Sequence, residues 1–97
     1  MEKNNMQRYI DLDPKRLTTK KDMGEYLTSL FEFQLPVTNL DALHDALSEI
    51  SQDTILCVSR YEMKLTCEEE YAWRTLMVIS EVTIHNPHLH LLFTEDI

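Results

Sequence analysis

A chain of 97 residues with 43% hydrophobic side chains, one Gly and three Pro has the size and composition of a single folded domain, 1–97, which excludes a second domain and a low-complexity linker. Its formal net charge is −8, and no Lys or Arg occurs between Lys21 and Arg60, an interval that holds Asp22, Glu25, Glu32, Asp41, Asp45, Glu49 and Asp53. Such a surface repels nucleic acid, whose binding needs Lys and Arg against phosphates, and attracts a basic protein.

Residues 1–6 are polar and read as loose, with neither a signal-peptide core nor any membrane-length apolar run, so a cytoplasmic location without membrane contact is expected. Residues 7–12 alternate as a strand that Asp13-Pro14 ends. Thr19 caps a helix over 19–32 with Asp22 as its third residue, and Met23, Tyr26, Leu27, Leu30 and Phe31 form its apolar stripe. Gly24 costs this helix about 1 kcal/mol relative to Ala, and Pro36 prevents its continuation.

A second helix is predicted over 39–51. Leu40, Leu43, Leu47 and Ile50 share one face, and Asp41, Asp45 and Glu49 recur at i, i+4 and i+8 on another. Asp41 suits the positive end of the helix dipole behind a Thr38 or Asn39 cap. Asp45 and Glu49 add like-charge repulsion of roughly 0.2–0.5 kcal/mol per pair, so helix stability does not explain them.

Residues 54–59 are apolar on both sides, as a central strand covered on both faces would be. Arg60 to Lys64 reads as a connection with at most a short helical turn. Thr66-Cys67-Glu68-Glu69 has the form of a capping box, opening a helix over 67–83 with Ala72, Leu76, Ile79 and Thr83 on one face and Tyr71 and Trp73 packed around it. Asn86-Pro87 then breaks the chain before a last strand at 88–93. The order βααβαβ predicts an α/β fold in two or three layers, with a three-stranded parallel sheet and three to four helices. With no export signal, Cys57 and Cys67 are expected as thiols, Cys57 in the core.

At Asn39-Leu40-Asp41-Ala42-Leu43-His44-Asp45-Ala46-Leu47 the sequence resembles the second-helix motif of the barstar family, intracellular inhibitors of the ribonuclease barnase. Lys21 to Leu27 is similar to that family's first helix, and Glu81 stands where another of its contact acids does. The resemblance implies a barstar-like fold and an inhibitor whose second helix enters a nuclease active site, the acid at the position of Asp45 taking a phosphate subsite. The implied partner-binding residues are Asp41, His44, Asp45, Ser48, Glu49 and Glu81, and the implied partner is a basic ribonuclease or another basic protein. Two departures are visible: the family has Trp where this chain has His44, and a Tyr-Tyr-Gly loop where this chain has Phe33-Gln34-Leu35-Pro36-Val37-Thr38. They imply a cognate nuclease other than barnase, or weaker inhibition of it. The competing reading is an acidic adaptor or regulatory module with a non-nuclease partner.

Enzyme chemistry finds little support in the residues. One Gly cannot build a phosphate loop, and His85, His88 and His90 lack the Cys-x-x-Cys or His-Glu-x-x-His spacing of a zinc site. The acidic row lies on a convex helix face, where nothing desolvates it for acid–base work. The expectation is therefore a binding protein with no cofactor and no metal, and not an enzyme.

Overall fold

The computed structural model describes residues 7–66 and 68–95. The fold is α/β: three strands, β1 (Arg8–Leu12), β2 (Thr54–Ser59) and β3 (Leu89–Thr94), form one parallel sheet in the order β1-β2-β3. Four helices connect them, α1 (Lys20–Phe31) and α2 (Leu40–Ser48) before β2, α3 (Arg60–Thr66) and α4 (Glu70–His85) after it, and a short 3-10 turn (Pro14–Leu17) follows β1. Among the described residues no helix is long and apolar enough to cross a membrane.

Strand register sets the core. Ile10, Leu56 and Leu91 lie side by side, as do Leu12, Val58 and Phe93, and onto this face pack Leu17, Met23, Leu27, Phe31, Leu43, Leu47, Leu76 and Ile79. At the start of the strands the guanidinium of Arg8 donates to Thr54 Oγ1 at 3.1 and 3.3 Å and lies over the Phe31 ring. The opposite face of the sheet is open. Tyr9, Asp11, His90 and Leu92 are exposed, and Ile55 and Cys57 only half-buried, so β2 is covered on one face and the expectation of a strand covered on both is corrected. Its apolar outer side reflects the two flanking strands. Cys57 correspondingly lies outside the core, and Cys67 falls outside the described residues.

α1 starts as its sequence predicts, with Thr19 Oγ1 accepting from the Asp22 amide at 3.1 Å. Asp22 also takes a forked pair of hydrogen bonds from Arg16, which hold its carboxyl below the usual carboxylate range. The helix stops before Pro36 is reached, because Glu32 adopts a left-handed conformation (φ 59°) and turns its N–H back onto the carbonyls of Thr28 and Ser29. Gly24 has its reason in the returning loop. A Cβ at Gly24 would run into the backbone carbonyl oxygen of Val37, a buried residue whose amide donates to Thr28 Oγ1 at 2.9 Å.

The predicted capping box at Thr66 is not formed. Arg60–Thr66 is a two-turn helix, and Thr66 Oγ1 donates backwards to the carbonyls of Glu62 and Met63, which turns its oxygen toward the preceding helix and away from the amides of the next one that it would have to accept from. α4 begins instead at Glu70 behind Glu69, whose side chain makes no capping bond. Trp73 was expected to pack around α4's apolar face. It is 48% exposed, because the buried face is Ala72, Thr75, Leu76, Ile79 and Val82, on the other side of the helix.

Candidate protein-binding site

α2 is a nine-residue helix whose two sides differ sharply. Leu43 and Leu47 are fully buried, Leu40 and Ala46 partly so, and Asp41, Asp45, Ser48 and Glu49 are exposed. The side chain of Asn39 caps the start, accepting from the Ala42 amide at 2.7 Å. Of the two cap candidates Asn39 is the one used, and Asp41 falls in the first turn, where the dipole favours it. The helix ends at Ser48, earlier than predicted, with Glu49 as C-cap and the amides of Glu49 and Ile50 bonded to the carbonyls three residues back.

The ends of α2 therefore carry acids of opposite energetic sign. Glu49 stands at the negative end, and no basic residue occupies the last turn. Together with the two like-charge spacings, this costs the helix roughly 1–2 kcal/mol. Among the described residues, Asp41, Asp45 and Glu49 form no ion pair, nor does Glu32, whereas Asp22 and Glu25 of the same acidic interval are paired with Arg16 and Lys21 and Asp53 lies at hydrogen-bond distance from His88. One helical row is thus left with its charge uncompensated. Its members stand about 6 Å apart along the axis.

Of the remaining sequence-predicted residues, His44 and Ser48 lie on α2 itself and Glu81 lies on another helix. Ser48 Oγ donates to the His44 carbonyl at 2.7 Å, and His44 is half-buried beside Asp45 with no side-chain hydrogen bond among the described residues. Glu81 is exposed on α4, the helix that packs against α2. The surface is convex. A groove of about 690 Å³ between α1 and residues 36–38 is lined by Lys20, Lys21, Thr28 and Val37 and contains none of the row.

One residue that holds the site has a role the sequence did not disclose. Asn86, 6% exposed, donates from Nδ2 to the carbonyls of Leu47 and Ile50 at 3.0 and 3.1 Å, satisfying the C-terminal end of α2 from the end of α4. Its Oδ1 accepts from the His88 amide at 2.9 Å. Read as a chain breaker beside Pro87, Asn86 gave no sign of this second task; a buried Asn after a helix is the signal. His88 lies in the turn before β3, its Nδ1 2.8 Å from Asp53 Oδ1, and is not on a strand face with His90. Among the described residues no three His, Cys, Asp or Glu side chains converge as a metal site would require.

The arrangement offers an unpaired anionic row on a helix fixed at both ends and along its buried side, suited to entering a basic concavity in another protein. No model of a known protein family matches the chain, and no curated protein matches it.

Proposed function

We propose that the chain is a protein inhibitor of a ribonuclease: α2 enters the basic active site with Asp45 at its centre, Asp41 and Glu49 on either side, and His44, Ser48 and Glu81 around them. The observation that carries this reading is the exposed, unpaired row of acids kept on α2 at a cost to the helix. A carboxylate replaces a substrate phosphate because both are anionic acceptors for Arg forks and for Lys or His donors. Spaced about 6 Å apart, three carboxylates offer a nuclease acceptors at intervals comparable to successive phosphates of a single strand. Fixing them on a packed helix limits what must be ordered on binding. The lack of Lys and Arg from 22 to 59 adds a field that steers a basic partner and speeds its association. The barstar-like motif over 39–47 supplies the class of partner.

On this reading the protein binds and does not catalyse, and its partner is a protein and not a nucleic acid. A second reading, an acidic adaptor for a basic protein other than a nuclease, is favoured by one specific observation. His44 and the tyrosine-free stretch 33–38 stand where the barstar family has aromatic side chains.

Inhibition of a panel of small basic ribonucleases by wild type, Asp45→Ala and the exposed control Glu68→Ala, at several salt concentrations, tests the proposal. Stoichiometric inhibition that weakens with salt and is lost only in Asp45→Ala is expected. Binding that ignores Asp45, or no inhibition of any member, would put the adaptor ahead.

A further inference from the structure

α4 carries a second apolar surface that its own chain leaves uncovered. Its inner side is in the core through Ala72, Thr75, Leu76, Ile79 and Val82. On its outer side Trp73, Met77, Ser80 and Ile84 follow one another at spacings of four, three and four, the spacing of a coiled-coil seam. Trp73 is 48% exposed, Met77 56% and Ile84 77%. Scattered exposed apolar side chains need no explanation, but three large ones in a single stripe mark a contact surface. The apolar surface continues onto β3, the edge strand beneath α4, where Phe93, on the face that the helices cover, is 44% exposed.

We propose that this stripe is the contact for a second copy of this chain, two α4 helices packing antiparallel about a two-fold axis. Charge identifies the occupant. Arg74 and Glu81 each follow a seam position by one residue, on the same border of the stripe. Antiparallel pairing about the middle of the stripe brings Arg74 of each copy beside the partner's Glu81, so one symmetry operation creates two opposite-charge pairs from one sequence. The same register sets Trp73 against the partner's Ile84 and Met77 against the partner's Ser80, large against smaller side chains. Arg74 is paired with Glu70 one turn earlier at 2.6 Å and can turn from it to the partner, while Glu81 has no ion-pair partner among the described residues. The contact is small beside the roughly 1,200–2,000 Å² of a stable interface, so the dimer dissociates on dilution.

Analytical ultracentrifugation of the chain alone, from micromolar to millimolar concentration, tests this. Because no nuclease is present, its outcome is independent of the inhibitor reading, although Glu81 figures in both. Mass rising from monomer to dimer is expected. Arg74→Glu and Glu81→Arg should each weaken association roughly three- to thirty-fold, two exposed pairs being lost per dimer, and the double reversal should return it toward wild type. Met77→Glu should leave monomer. All three positions are exposed, and unchanged circular dichroism and melting show that the variants fold. A monomer throughout, or a dimer in which the double reversal is no stronger than either single one, would overturn the proposal.

Discussion

Replacing Gly24 by alanine sets two effects of opposite sign against each other. Helix propensity alone predicts that Gly24→Ala stabilises the protein by about 1 kcal/mol, since Gly24 lies inside α1 with ordinary helical geometry. The added methyl group would collide with the Val37 carbonyl, which is backbone and cannot rotate away. Relief requires residues 36–38 to move outward, drawing buried Val37 from its site and straining the 2.9 Å bond from its amide to Thr28 Oγ1. Overpacking of this kind costs about 1–3 kcal/mol and a lost hydrogen bond about 0.5–1.5 kcal/mol. The net expectation is destabilisation by about 1–2 kcal/mol, with α2 remaining helical. Urea denaturation measures it as a lower midpoint at unchanged slope, and the thermal midpoint should fall by roughly 4–16 °C for a domain of this size. A Gly24→Ala protein as stable as wild type, or more so, would refute the claim that the loop's approach determines this residue.

Other substitutions separate the core of the site from its surface. Leu43→Ala should cost about 2–5 kcal/mol in urea, because Leu43 is fully buried, whereas Asp45→Ala should be neutral or slightly stabilising; equal losses would mean that α2 is rotated from its described orientation. Asn86→Ala should cost about 1–3 kcal/mol and raise amide hydrogen exchange at the end of α2, since it takes the Nδ2 donor from the Ile50 carbonyl and leaves the Leu47 carbonyl with only the longer bond from the Ile50 amide; exchange unchanged at residues 47–50 would contradict this role. Glu32→Gly should stabilise by about 0.5–1 kcal/mol by relieving a left-handed non-glycine residue, with Glu32→Ala giving no such gain on melting. The Arg16–Asp22 pair predicts a pH effect. Asp22 titrates below its unfolded value of about 3.9, so the pair's contribution is complete above that pH and is lost as pH falls through the folded value. The stability gap between wild type and Arg16→Gln should therefore be widest near neutrality and narrow at the acid end; a gap that widens on acidification would reverse the sign.

What the sequence disclosed depended on whether the controlling interaction was local. The caps at Thr19 and Asn39, the buried side of α2 and its acidic row follow from residues within one or two turns of each other, and all are present. The parallel sheet followed from helices alternating with strands. Gly24, Glu32 and Asn86 depend on partners that only the fold brings close: a returning loop, a left-handed turn, and the far end of another helix. The capping box at Thr66 failed for a local reason, since a Thr hydroxyl at the end of one helix can bond backwards as readily as it can cap the next. The open sheet face and the exposed stripe of α4 were hidden because apolar residues read as core, and nothing local tells a side chain that faces its own chain from one that faces another.

The claim that Asp45 occupies a phosphate site is tested most directly by a double-mutant cycle. The affinity of an inhibited ribonuclease is measured for wild type and Asp45→Ala, each against the wild-type nuclease and against a variant lacking one phosphate-binding Arg or Lys. The account predicts a coupling of about 1–3 kcal/mol between Asp45 and that cation, the double variant losing that much less than the sum of the single losses. Losses that simply add would contradict it, because Asp45 would then act on the nuclease without sitting against the group that binds phosphate.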